Sequence, residues 1–320
     1  MTTPVWIGLG SNLGDRKAIL DAAVAALADA PGLAVEAVSP YLETSPVGGP
    51  PGQGAFLNAA ARLATTLGPR ELLALTREIE DRLGRRRTVR WGERTLDIDL
   101  LIYGCKFLDT PDLKLPHPRL AFRRFVLAPL AQIAPGIVDP MTRRTIADLL
   151  ANLDRKPRLL ALDGPRGKTK ATVFRLLIES LPAFGVEEGD DPGDPFERIG
   201  RKAEALHAGR WAAETLRAPW IVADYCLPLD LLRASTTSDW GGRLGSPESG
   251  GMPAYHMGLR RARVAAGKAL APTILAALPA DHEIRRRPGL LQTPLLRIES
   301  DEPDAIVAEV LATCRGIAGT

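Results

Sequence analysis

Cysteine is scarce in this chain. There are three in 320 residues, Cys105, Cys226 and Cys314, and none forms a CxxC pair. Three thiols cannot pair completely, so a disulfide framework and a zinc site are not expected, and a reduced, cytoplasmic setting is. Long hydrophobic runs are also missing. None reaches the roughly 18 residues of a membrane span, so no membrane association is expected. The opening MTTPVWIGLG lacks the basic stretch and long apolar run of a secretion signal. Charge of one sign is lacking too, because 41 Lys and Arg against 38 Asp and Glu leave a net +3. That balance gives no reason to expect a nucleic-acid partner. Lysine is rare while Ala, Arg, Gly and Pro abound, which reads as coding bias. What remains is ordinary for a globular protein, 45% hydrophobic and 25% charged, with length for two domains.

Strand and helix patterns alternate through both halves. VWIGLGS (5–11) reads as a strand entering a turn, and 16–29 has helical periodicity. LAVEAVSPYLE (33–43) and AFLNAAARLAT (55–65) read as strands, separated by the loop SPVGGPPGQG. A helix over 68–83 carries Pro69 in its first turn. Residues 116–135 start irregularly and become a helix, and 143–153 form a short amphipathic one. DRKPR (154–158) reads as a linker between domains at 1–153 and 158–320. Beyond it come a strand, a Gly-rich turn and a helix over 159–181. Then follow a polar Gly/Asp segment (185–194), a long helix to about Leu216 and strands at 218–225, 272–278 and 294–300. A helix over 302–315 ends the series. STTSDWGGRLGSPESGG (235–251) is too rich in Gly and Ser to order itself.

The most informative stretch is WGERTLDIDLLIYG (91–104). Asp97 and Asp99, spaced i, i+2 on a strand, share one face about 7 Å apart. Thr95 shares it, while Leu96, Ile98, Leu100 and Ile102 take the core face. Two adjacent acids repel unless a cation lies between them, and Mg²⁺ held with substrate phosphates is the usual answer. An isolated pair of this kind is more often a solvated strand face. Here Trp91, Arg94 and His117 lie nearby in sequence and favour the metal. Upstream, Arg82, Arg85, Arg86, Arg87, Arg90 and Arg94 suit phosphate. Together they suggest nucleotide-dependent transfer of phosphoryl or pyrophosphoryl groups.

With LKLPHPRLAFRRFVLAPLAQIAP, IGLGSNLGDR and SPYLETSPVG…FLNAAA, that stretch resembles the 6-hydroxymethyl-7,8-dihydropterin pyrophosphokinases over residues 4–153. These enzymes act before dihydropteroate synthase in folate synthesis. The resemblance implies an α+β, ferredoxin-like αβα domain that transfers pyrophosphate from ATP, the co-substrate, to the pterin's hydroxymethyl group. Asp97 and Asp99 would hold two Mg²⁺. Thr44, Pro46, Val47, Phe56, Asn58 and Phe125 would form the pterin pocket. Glu80, Arg85, Arg87, Trp91, Arg94, Ile98, His117 and Arg123 would face nucleotide and phosphates, with Arg85 and Arg87 assisting transfer. Asn58 offers both a donor and an acceptor to a pterin edge, and Phe125 a stacking face.

GLGSNLG (8–14) imitates a dinucleotide fingerprint, but its third glycine is one place late and Glu36 lies mid-strand. It reads instead as a turn capping the first helix through Ser11 or Asn12. In the second half, GPRGKTKAT (164–172) resembles the phosphate loop of P-loop kinases, with Gly164 and Lys170 in place. Thr169 replaces the second glycine and Ala171 the metal-binding hydroxyl. With Glu188, Asp224-Tyr225 and Arg285–Arg287 around it, the half resembles a deoxynucleoside kinase. The resemblance implies an α/β, P-loop kinase-like domain with a mainly parallel sheet. The two broken positions favour a degenerate domain that could support a homodimer. The alternative is a second, deoxynucleoside-phosphorylating activity.

Overall fold

The computed structural model describes residues 1–85, 92–163, 167–187, 195–225, 274–277, 294–298, 300 and 302–318. These divide into two compact units, Met1–Asp154 with Val310–Thr320, and Arg155–Glu309.

Unit 1 is built on an antiparallel sheet of β1 (Thr3–Ser11), β2 (Leu33–Val38), β3 (Leu42–Thr44), β4 (Phe56–Thr65) and β5 (Asp97–Tyr103), ordered β2–β4–β1–β5 with β3 also on β4. Helices α1 (Arg16–Ala28) and α2 (Pro69–Arg82) follow β1 and β4, giving the β-α-β-β-α-β arrangement of ferredoxin-like folds. Their Leu20, Ala23, Leu27, Leu72 and Ile79 meet Val5, Ile7, Leu9, Ala59, Ala61, Leu63, Ile98 and Leu100 in one core. The opposite face receives α3 (Arg124–Ile133), packed on β4, and α4 (Ile146–Asp154), packed on α3. A short hairpin, β6 (Leu108–Asp109) and β7 (Lys114–Leu115), follows β5.

Three local features differ from the sequence expectation and one matches it. The segment 33–43 is two strands, because Pro40 cannot donate to the ladder. There Ser39 carries the pairing instead, its amide donating to Ala60 O at 2.9 Å and its Oγ accepting from Ala60 N at 3.0 Å. The cap of α1 is Asp15, whose carboxylate accepts from Ala18 N at 3.0 Å, not Ser11 or Asn12. Those two residues end and follow β1. Ile102 does not share the core face with Ile98. The register against β1 shifts between Trp6 and Ile7, pairing Ile102 with Trp6 and sending Tyr103 into the core. A bulge of this kind flips the side-chain alternation. Finally, α2 carries Pro69 at its start, as expected, and Gly68 N donates to Glu71 Oε2 at 2.6 Å.

Unit 2 holds a parallel sheet of β8 (Arg158–Asp163), β9 (Ala183–Val186), β10 (Trp220–Ala223), β11 (Ile274–Ala277) and β12 (Leu295–Arg297), ordered β12–β11–β8–β10–β9. The unit's first strand, β8, is thus central, buried throughout as parallel strands are. Helices α5 (Lys168–Ser180) and α6 (Pro195–Thr215) connect β8, β9 and β10. Strand β9 lay unread in the sequence. It is four residues long and includes Gly185, where a Cβ would come within 2.3 Å of Ile178 Cδ1. A side chain there would make Ile178 of α5 move. Helix α7 (Pro303–Ala318) begins in unit 2 and ends in unit 1.

Candidate functional site

The site lies on unit 1, on the sheet face opposite the α1/α2 core. Central β1 has Gly10 paired with Asn58 on β4 and with Asp97 on β5, and Gly8 paired with Ala60 and Asp99. Paired residues share a face, so both aspartates and Asn58 flank a strand that offers only two glycines there. A Cβ at Gly10 would stand 3.2 Å from Asn58 Oδ1 and 3.9 Å from Phe56 Cδ1. The glycines therefore keep a floor open between an amide and two carboxylates. Sequence reading took them for part of a turn. Their i, i+2 spacing in a strand was the available signal.

Every described carboxylate around the floor is held by a guanidinium. Arg85 reaches Glu80 and, at 2.7 Å, Asp97 Oδ1, while Arg94 Nη1 donates to Asp97 Oδ2 at 2.7 Å. Arg123 Nη1 donates to Asp99 Oδ2 at 2.9 Å, with His117 Nε2 3.8 Å from the same oxygen. Glu80, only 3% exposed, also accepts from Ile98 N at 2.7 Å, which locks α2 to β5. Ile98's side chain belongs to the core, so its backbone alone takes part. Burial raises Asp97, and Asp99 beside it adds to the effect. Burial acts on Asp99 as well, yet His117 and Arg123 outweigh it and hold that carboxyl below the usual range. Burial pushes His117 down to about 4, against the pull of Asp99. Its Nδ1 accepts from Arg119 N at 3.0 Å.

On the other side of Gly10, Asn58 Nδ2 donates to Thr44 Oγ1 at 2.9 Å. Phe56 lies two residues earlier on β4, Pro46 and Val47 occupy the loop after β3, and Phe125 is on the first turn of α3. Two ring–cation pairs tie this side to the acids. The Arg94 guanidinium is 5.7 Å from the Phe56 ring and that of Arg123 is 5.5 Å from the Phe125 ring.

Asn12, expected from the sequence only as a helix cap, instead links the loops. Its Oδ1 accepts from Arg94 N at 2.8 Å, and its Nδ2 donates to Gly54 O at 3.3 Å. Gly54 N donates to Glu93 Oε1 at 3.2 Å. Of the residues expected at the site, Arg87 and Trp91 lie outside the described residues. Among the described residues no group of three or more His, Cys, Asp or Glu forms a metal cluster. Two carboxylates on one open face still suit a hard cation whose remaining ligands are water and phosphate.

In unit 2, Lys170 is only 7% exposed, and its ammonium donates to Asp224 O at 2.8 Å. A cavity of about 650 Å³ nearby is lined by Lys168, Arg175, Glu187 and Asp224 among others. Gly164, Glu188, Arg285–Arg287 and the 235–251 loop lie outside the described residues. Among the described residues no helix is long and apolar enough to cross a membrane.

The sequence model of the 7,8-dihydro-6-hydroxymethylpterin-pyrophosphokinase family matches residues 6–135. A 2-amino-4-hydroxy-6-hydroxymethyldihydropteridine pyrophosphokinase of Bacillus subtilis is 49% identical over 142 residues, 44% of this chain and 84% of that protein. One from Methylorubrum extorquens is 45% identical over 152 residues, 48% of this chain and 94% of the relative. A solved HPPK-DHPS in complex with substrates is 12% identical, with a TM-score of 0.38 over 89% of this chain and 69% of that one, too distant to inform the second half. The glycine floor, the paired aspartates and the arginines that hold them all fall inside the matched span, and on that span the chain belongs to the 7,8-dihydro-6-hydroxymethylpterin-pyrophosphokinase family.

Proposed function

We propose that unit 1 transfers pyrophosphate from ATP to 6-hydroxymethyl-7,8-dihydropterin, releasing AMP, as a step of folate biosynthesis. The observation that carries this reading is the charge balance on the glycine floor. Glu80, Asp97 and Asp99 are matched there by Arg85, Arg94 and Arg123. A triphosphate entering that floor draws the guanidiniums towards its oxygens, since fork-shaped donors match phosphate. The aspartates then need other cations, because unpaired buried carboxylates are costly.

Asp97 and Asp99 would hold Mg²⁺, two ions by analogy with the family, which would neutralise charge on the phosphates of bound ATP. The chain's own residues orient the reactants. Asn58, braced by Thr44, reads the edge of the pterin, and Phe56 and Phe125 offer ring faces for it. Pro46 and Val47 close the pocket. The pterin's hydroxymethyl oxygen attacks the β-phosphorus, a new P–O bond forms, the hydroxyl proton is released to solvent, and the bond from that phosphorus to the oxygen of AMP breaks. Arg85, Arg94 and Arg123, joined by Arg87 and Trp91, meet the phosphate charge, and positioning supplies most of the acceleration. His117, pushed down to about 4 by burial, stands beside Asp99 with Nε2 3.8 Å from its Oδ2.

The test is AMP formation by the full chain with ATP, MgCl₂ and the pterin alcohol. Asp97→Asn or Asp99→Asn should lower kcat/KM by at least about 100-fold, or roughly 2.7 kcal/mol of transition-state stabilisation. Unchanged AMP formation in both variants rejects the reading.

For unit 2 we infer a P-loop kinase-like fold without kinase activity. The parallel sheet with its first strand central supports the fold. Lys170 supports the loss of activity, because its ammonium is spent on a backbone carbonyl and Ala171 offers no hydroxyl for a metal. The cavity beside Lys168 and Arg175 favours the alternative, a second activity on deoxynucleosides. Incubating the full chain with ATP and each deoxynucleoside separates the two, since any 5′-monophosphate establishes the alternative. A dimerising role for this half is tested by sedimentation of the full chain, where a monomer at every concentration rejects it.

A further inference from the structure

The last turns of α7 lie against the pterin side of unit 1. Ala312, Thr313, Cys314, Gly316 and Ile317 are buried, and Arg315 alone of residues 312–317 faces solvent. Gly316 packs on Val47 and the Phe122 backbone. A Cβ there would lie 3.4 Å from Val47 Cγ1 and 3.5 Å from the Phe122 carbonyl oxygen. One residue on, the Ile317 carbonyl accepts from Arg124 Nε at 3.0 Å, a hydrogen bond between residues 193 apart in sequence. The same guanidinium reaches Asp154 Oδ1 through Nη2 at 2.5 Å.

These contacts fall on both parts of the pocket. Val47 belongs to the loop SPVGGPPGQG, whose Gly48, Gly49 and Gly52 all have positive φ. A loop of that composition is expensive to order unaided. Arg124 stands between Arg123, which holds Asp99, and Phe125, whose ring lies 5.5 Å from the Arg123 guanidinium.

We propose that residues 312–317 are a positioning element for the pterin pocket, with Gly316 seating Val47 and the Arg124–Ile317 bond fixing the start of α3. The proposal rests on the pterin reading of that pocket. It means that pterin binding depends on residues far outside the matched span 6–135. Holding the loop in place before the ligand arrives removes part of the ordering cost from binding. ATP, which meets the arginine side, gains little from it.

The experiment compares the full chain with Gly316→Ala and Gly316→Leu. Alanine adds a Cβ at ordinary contact distance and should behave as the parent. Leucine must displace Val47. It should raise the KM for the pterin about fivefold or more while kcat and the KM for ATP stay within about twofold. Hydrogen exchange in 45–54 should quicken. Should Gly316→Leu fail to fold, Arg124→Gln removes the other contact and is read the same way. An unchanged pterin KM and unchanged exchange overturn the proposal. So does a fall in kcat with a parallel rise in both KM values and a lowered Tm, which marks a merely structural role. If the parent forms no AMP, the functional reading fails, and exchange in 45–54 alone decides whether residues 312–317 hold the loop.

Discussion

Gly10 shows how little room the floor of the site leaves. Its missing side chain is what lets Asn58 face Asp97 across β1. Gly10→Ala puts a methyl 3.2 Å from Asn58 Oδ1, so the amide must shift by a few tenths of an ångström. We expect the pterin KM to rise about tenfold, near 1.4 kcal/mol, with a smaller change in the KM for ATP. Steady-state kinetics checks it, and an unchanged pterin KM contradicts it. His117 gives a second residue-scale prediction. Its imidazole sits at about 4 in the fold against an ordinary 6.5, with burial as the first cause. A depressed pKa means the unfolded chain binds the proton more readily. Stability is therefore untouched by this group above pH 6.5 and is lost as pH falls from 6.5 towards 4. At about pH 5 the loss is on the order of 2 kcal/mol. Urea melts in EDTA should show the parent losing more than His117→Asn between about pH 7 and pH 5, and equal losses would contradict the assignment.

At the scale of elements, the capped helices and the split strand decide what the site rests on. Asp15 starts α1 through Ala18 N, so Asp15→Ala should cost about 1 kcal/mol by chemical denaturation. A cost under about 0.3 kcal/mol would place the cap elsewhere. The helix propensities and the paired aspartates were legible in sequence, because 3.6- and 2-residue periods survive in the pattern of apolar residues. The split at Pro40 was legible in principle, since proline cannot sustain a ladder. The bulge that turns Ile102 away from the core was not, because it depends on the register of β5 against β1 and not on either strand alone. Strand β9 escaped for a related reason. Its Gly185 looks like a turn signal until α5 is seen packed against it.

Across the whole molecule, two units of different architecture share one chain, an antiparallel α+β sheet and a parallel one. Lys170 bears on the second. Lys170→Met leaves the Asp224 carbonyl without that donor and should lower stability by about 1–3 kcal/mol while AMP formation by unit 1 stays within about twofold. A thermal melt paired with the AMP assay checks this, and an unchanged melt would contradict a structural role for the lysine. The sequence by itself determined the main strands and helices of unit 1, the paired carboxylates and the residue types for phosphate and for a flat ring. Those properties live in local periodicity and in short motifs. Tertiary structure alone decided that Asn58 and the two aspartates flank Gly8 and Gly10, that Arg85, Arg94 and Arg123 between them hold Glu80, Asp97 and Asp99, and that residues 312–317 pack against Val47 and Arg124. Those facts rest on strand register and on contacts between residues far apart in the chain.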